Sequence, residues 1–112
     1  MSIKTKVVPI EIDGEKFYLS FTMSSMHEYK ERYKRSAMQD LASMTNNTID
    51  EEVLFQLFSV CLRREIGGDI VEREFLEELN PLAVITAFSN EIVEVCFSSL
   101  PTGGTQKKQI KK

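Results

Sequence analysis

The dipeptide Asp13-Gly14 constrains the fold of this chain more than any other feature. Six apolar residues alternate with other residues on its two sides: Val8, Ile10, Ile12, Phe17, Leu19 and Phe21. Asp-Gly favours a two-residue type I′ turn, in which both central positions have positive φ. With this loop, or with a four-residue loop of the same parity, the six side chains share one face of a β-hairpin. Because a lone hairpin is barely stable in water, this face is predicted to cover helices.

The first helix is predicted directly after the hairpin. Ser25 and Glu28 have the spacing of a capping box, in which each side chain bonds the other residue's backbone amide. An apolar stripe at helical spacing then runs from Met26 to about Ala37. The pattern weakens after Ala37, and residues 45–47 are predicted to form a loop.

A second helix is predicted to occupy the centre of the domain. Thr48 and Glu51 match another capping box, and most residues from 53 to 62 are apolar. A helix that is apolar around most of its circumference is buried on several sides. Gly67-Gly68 is predicted to end it.

Two further helices complete the predicted architecture. Asp69 caps a short third helix through Leu79, and Asn80-Pro81 opens a fourth that runs to about Ser99. The predicted fold class is therefore α+β, mostly α: an N-terminal β-hairpin packed on a bundle of about four helices, ββαααα. Seven residues are predicted to form the core: Phe17, Leu19, Phe58, Cys61, Ile85, Phe88 and Ile92.

Charge divides the chain into two parts. Within positions 1–100, 17 acidic residues stand against 10 basic ones, which gives −7, whereas positions 101–112 contain four lysines and no acid, +4. We interpret 1–100 as one domain and 101–112 as a disordered basic C-terminal tail, because the tail has too little apolar surface to offset ordering. An acidic body argues against nucleic acid as a ligand. No apolar run reaches the length of a membrane span.

Catalytic, metal and cofactor sites are not predicted. His27 is the only histidine and lies in the first turn of a predicted helix, and no phosphate-binding loop or hydrolase motif occurs. Cys61 and Cys96 lie in apolar helical patterns and are predicted to be reduced core residues, and zinc would need additional carboxylate ligands. We therefore expect a protein that is not an enzyme.

Surplus apolar residues indicate a protein-binding surface. Phe55 on the second helix, with Val84 and Phe97 on the fourth, lies off the main core stripe. Such side chains either enlarge the core or form an exposed patch, and exposed apolar patches mark protein contacts. Phe55, Val84 and Phe97 are therefore the candidate residues for self-association or for binding a partner helix.

The order of strands and helix near the N-terminus also resembles that of a known protein family. A strand pair ending in Ile-Asp-Gly-Glu-Lys-Phe-Tyr-Leu-Ser-Phe-Thr (residues 12–22) passes straight into a helix that carries Met26-His27-Glu28-Tyr29. This resembles the opening of tail assembly chaperones of long-tailed bacteriophages and prophages, especially those of Gram-positive bacteria. The similarity covers residues 10–29 as a motif and 7 to about 100 as a layout.

The resemblance implies a function. Family members are thought to coat the helical tape-measure protein, to recruit tail-tube subunits around it, and to leave before the virion is complete. It therefore implies tape-measure and tail-tube proteins as partners, the host bacterial cytoplasm as the location, and no catalytic residue. Two other classes stay open: a small regulatory binder of antitoxin or anti-sigma type, and a structural component of the phage tail.

The resemblance extends to the tail. Many tail chaperone genes produce a longer second product by ribosomal slippage near the stop codon. Lys107-Lys108 or Lys111-Lys112 could be encoded by an adenine-rich slippery run. The tail would then link this domain to an extra segment that contacts the tape-measure protein or the tube subunits.

Overall fold

The computed structural model describes residues 5–46 and 50–98 and contains a three-stranded antiparallel sheet and five helices. The elements are β1 (Val7–Ile12), β2 (Glu15–Ser20), α1 (Met23–Tyr33), α2 (Ala37–Asn46), α3 (Glu51–Cys61), β3 (Leu62–Arg63), α4 (Arg73–Glu77) and α5 (Pro81–Phe97). The predicted class, α+β with an N-terminal hairpin followed by helices, is confirmed. The tail at 101–112 lies outside the described residues.

The hairpin forms as its sequence predicts. Asp13 and Gly14 both have positive φ, 51° and 85°, as a type I′ turn requires. Ile12 pairs with Glu15, so the loop has two residues and the four-residue alternative is excluded. The alternating apolar residues of the hairpin are buried, except for Ile12, which is half-buried: Val8, Ile10, Phe17, Leu19 and Phe21.

The end of the central helix differs from the prediction. α3 stops at Cys61 instead of continuing to Gly67-Gly68, and Leu62 and Arg63 form β3 against β2. The outer edge of β2 would otherwise expose unpaired backbone groups, which this short strand satisfies. A long-range pairing has overridden the local helical pattern.

The first predicted helix is two helices. α1 begins at Met23 with Thr22 as its N-cap, and Ser25 stands at the third helical position instead of at the cap. Thr22 Oγ1 accepts from the Ser25 amide at 3.3 Å, and Ser25 Oγ accepts from the Thr22 amide at 3.1 Å. α1 ends at Tyr33, because Lys34 adopts the left-handed conformation, and α2 follows after a short turn.

The starts of the later helices agree with the prediction at α5 and depart from it at α3 and α4. Asn80 Oδ1 accepts from the amides of Leu82 and Ala83, with Pro81 at the first helical position, as predicted. α3 is capped by Asp50; Thr48, the predicted cap, lies outside the described residues. α4 is shorter than predicted and follows Glu72, whose side chain makes no cap bond.

The core lies between α3, α5 and the sheet. Phe58 is fully buried and stacks on Phe88 with ring centroids 6.2 Å apart. Phe17, Leu19, Cys61 and Ile92 are buried as predicted, and both cysteines are free. Ile85 and Phe88 are only half-buried and pack against the core from its edge.

Candidate functional site

The structure separates the three residues predicted to bind a partner. Phe55 is half-buried on α3 and stacks on Phe58 at 5.9 Å. Phe97 is half-buried at the end of α5, 12 residues and therefore about 18 Å along the helix from Ile85. Val84 is only 5% exposed and belongs to the core. They do not form one patch.

Val84 is buried because α5 packs against two neighbours. α3 covers one side of the helix and the hairpin covers another, so α5 buries more than the single stripe that periodicity predicts. Val84 lines a pocket of about 410 Å³ together with Ile12 of β1 and Leu79. Because only 5% of Val84 is exposed, it offers little contact surface to a partner.

Phe55 instead lies in a groove, which we call the Phe55 groove. It consists of two cavities of about 490 and 290 Å³ that share Phe55 and Pro81 as a ridge. The larger cavity is also lined by Tyr33, Glu51, Glu52, Gln56, Leu82 and Ile85. The smaller is also lined by Arg32, Arg73, Leu76, Glu77 and Leu79.

Two helix starts build this groove. Asp50 fixes the first turn of α3, because its carboxylate accepts from the Glu52 amide at 2.9 Å and from the Val53 amide at 3.2 Å. Asn80 fixes the first turn of α5 in the same way. Caps of this kind hold the entry of a helix in one orientation. The walls of the larger cavity therefore come mainly from these two helix starts, whereas α4 and Leu79 line much of the smaller cavity.

Leu82 is the most distinctive side chain of the groove. It is 73% exposed, although it lies between the half-buried Ile85 and the ridge residue Pro81. Leu82 was not among the residues predicted to bind a partner. Its position three residues before Ile85 places it on the same helical stripe, but periodicity cannot tell whether the end of a stripe is covered.

A buried polar network supports the groove from below. The Tyr29 hydroxyl donates to Asp40 Oδ2 at 2.6 Å and lies 3.1 Å from Gln56 Oε1. Burial, together with the bond to Asp40, raises the pKa of Tyr29 well above its usual value, so the phenol stays protonated and remains a donor. Arg35 closes the network through two bonds to Asp40, at 3.0 and 2.8 Å, and Asp40 in turn raises the pKa of Arg35. These bonds hold α1 to α2 beside Gln56 of the groove wall.

Arg63 forms a second buried polar cluster, away from the groove. Its guanidinium donates to Gly68 O at 2.8 Å, to Thr22 Oγ1 at 2.9 Å and to Ser25 Oγ at 3.0 Å. Burial lowers the pKa of Arg63. The cluster ties β3 to the start of α1 and to the 64–68 loop, which is a structural role.

The described cysteine, histidine and acidic side chains do not form a nucleophilic or metal-binding site. Burial raises the pKa of the Cys61 thiol, which disfavours the reactive thiolate, and His27 is exposed on α1. Within residues 5–46 and 50–98, no three acidic, histidine or cysteine side chains are grouped so as to hold a metal ion. Over the same residues, no helix has both the length and the apolar character that crossing a membrane requires.

Known proteins add no identification. Comparisons with protein-family models, with curated proteins and with solved structures found no match.

Proposed function

We propose that this chain is a non-catalytic protein-binding domain that acts as a tail assembly chaperone of a long-tailed phage or prophage. In this role it binds the tape-measure protein in the host bacterial cytoplasm, helps to recruit tail-tube subunits, and leaves before the virion is complete. The resemblance of residues 10–29 to such chaperones suggests the biological setting, and the Phe55 groove supports the mode of binding.

One observation carries the proposal: Leu82 is 73% exposed beside a groove whose ridge is apolar. Apolar grooves on helical domains bind the apolar face of amphipathic helices, with side chains at helical spacing as anchors. A tape-measure protein is long and largely helical, so it offers many such faces. Weak contacts repeated along its length would give firm coating and still allow release.

Polar groups in the groove favour a helix over a small ligand. Pockets for small molecules place a few polar groups so that they converge on the ligand. In the larger cavity, Gln56 Oε1 lies 3.1 Å from the Tyr29 hydroxyl, and the two glutamates lie exposed at the helix start, so these polar groups do not converge on one point. The remaining lining is apolar or aromatic.

Co-expression with the tape-measure protein encoded near this gene tests the proposal. The full chain should keep the tape-measure protein soluble and should co-purify with it through size-exclusion chromatography. Leu82→Ser should weaken the complex because it removes an exposed apolar contact. Ile66→Ser is the matched control, since Ile66 is 67% exposed and lies outside the groove.

Three results would reject the proposal. The first is a tape-measure protein that stays insoluble and unbound in the presence of the full chain. The second is a gene neighbourhood that encodes a toxin or a sigma factor which binds the chain instead. The third is recovery of the chain from mature particles, which would indicate a structural tail component.

A further inference from the structure

The charges around the Phe55 groove are unevenly distributed. Glu51 and Glu52 are exposed on the rim of the larger cavity, and no lysine, arginine or histidine lines that cavity. Within the described residues, neither carboxylate takes part in an ion pair. This end of the groove is therefore negative, and among residues 5–46 and 50–98 no basic side chain pairs with its two carboxylates.

The smaller cavity is close to neutral. Arg32 lines it, but its Nε is 2.7 Å from Glu28 Oε2 and the pair is largely compensated. Arg73 and Glu77, which also line it, bring one charge of each sign. An occupant that spans both cavities would therefore meet a negative potential at the α3 end and little net charge at the α4 end.

We infer that the Phe55 groove binds an amphipathic helix whose apolar face is flanked by lysine or arginine at the end that lies over Glu51 and Glu52. Large apolar side chains of this helix fill the cavities on the two sides of the Phe55–Pro81 ridge, and its basic residues pair with the two carboxylates. The inference rests on the proposed function for the binding mode and adds the charge of the partner. Complementary rim charges act chiefly on specificity and association rate.

Two labelled peptides test the inference on the full chain. Both are helix-forming 20-residue peptides with the same leucine-rich apolar face; one carries lysines on its flanks and the other carries glutamates. Binding is followed by fluorescence anisotropy at low and at physiological salt. The lysine peptide should bind roughly threefold to tenfold more tightly at low salt, as expected for two exposed ion pairs. Physiological salt should reduce this preference by screening.

Variants of the protein locate the effect. Glu51→Gln combined with Glu52→Gln should remove the preference for the lysine peptide. Glu15→Gln combined with Glu31→Gln should keep it, because this pair removes the same charge from exposed positions outside the groove. Leu82→Ser should weaken both peptides, and Ile66→Ser should weaken neither. Thermal melting of each variant checks that the fold is intact.

The outcomes separate the charge inference from the proposed function. Equal binding of the two peptides, failure of both to bind at millimolar concentration, or a preference that survives Glu51→Gln with Glu52→Gln would overturn the inference. In that case a tape-measure complex that is sensitive to Leu82→Ser would still support the function. A lysine preference without any tape-measure complex would support the inference and reject the function. Sedimentation that shows a dimer lost in Leu82→Ser would overturn the inference, because the occupant would be a second copy of the chain.

Discussion

Replacing Tyr29 by Phe removes one buried oxygen from the network beneath the groove and leaves the ring in place. The Tyr29 hydroxyl is fully buried and donates to the Asp40 carboxylate at 2.6 Å. A hydrogen bond to a charged group contributes about 1.5 to 3 kcal/mol, so we expect the Tyr29→Phe substitution to lower the free energy of unfolding by about 2 kcal/mol. Arg35 still bonds Asp40 in the variant, which keeps the carboxylate from being left unpaired.

Tyr33→Phe provides a matched control. The Tyr33 hydroxyl lies 2.8 Å from Ser59 Oγ, so this substitution removes a bond between two neutral groups. The expected loss is about 1 kcal/mol. Urea denaturation followed by circular dichroism measures both variants, and an unchanged m-value would show that the comparison is sound.

Comparing the loss of unfolding free energy in the two variants shows whether the Tyr29–Asp40 bond is strengthened by the charge of Asp40. A loss in Tyr29→Phe clearly greater than that in Tyr33→Phe supports a charge-assisted bond that holds α2 to α1. Equal losses, or a loss below about 0.5 kcal/mol in Tyr29→Phe, would refute this, because a buried bond to a carboxylate cannot contribute so little.

Three further predictions concern pH, packing and the tail. Burial raises the pKa of Tyr29 in the folded state, so above about pH 10 the unfolded chain loses the phenol proton before the folded chain does. The free energy of unfolding should therefore fall as pH rises above about 10, by up to about 1.4 kcal/mol per pH unit. In urea titrations, Tyr29→Phe should remove the contribution of Tyr29 to this slope. Phe58→Ala removes a fully buried ring that stacks on Phe88, so it should cost about 3 to 5 kcal/mol in chemical denaturation, and a loss below about 1 kcal/mol would contradict the core assignment. Deletion of residues 103–112 should change the free energy of unfolding by less than about 0.5 kcal/mol, whereas a larger loss would show that the tail contacts the domain.

The hairpin could be predicted from the sequence because its determinants are local. Asp13-Gly14 fixes the turn, and the alternation of apolar residues fixes the face, so turn and pattern agree. The cap at Asn80-Pro81 is local in the same sense. At these two places neighbouring residues decide the conformation, and the prediction is confirmed.

β3 and α2 depend on distant residues and were missed. Leu62 continues the apolar pattern of α3, but its strand conformation is set by pairing with Leu19 of β2. α2 carries a short apolar stripe of buried residues, Ala37, Leu41 and Met44, but its separation from α1 comes from the left-handed conformation of Lys34, and the buried bond between Asp40 and Tyr29 then joins the two helices. Neither the strand pairing of Leu62 nor the bond between Asp40 and Tyr29 leaves a periodic signal in the neighbouring sequence.

The candidate site was only partly predictable for a related reason. Phe55 was identified because it departs from a stripe, and it does line the groove. Val84 departs from a stripe as well, but the hairpin covers it, so the same signal led to a core residue. Leu82 lies on the same stripe of α5 as Ile85, but it is exposed because no neighbouring element among the described residues covers that end of the stripe. Burial at the ends of a stripe depends on which neighbouring element reaches that far.

Amide hydrogen exchange on the full chain, with and without a soluble helical segment of the tape-measure protein, shows directly whether that segment occupies the Phe55 groove. Binding in the Phe55 groove predicts new protection in the first turns of α3 and α5 and in α4, within residues 50–56 and 73–86, while the hairpin stays unchanged. Protection confined to the hairpin, or to the end of α5 around Phe97, would show that the segment binds elsewhere and that the Phe55 groove is not the binding site.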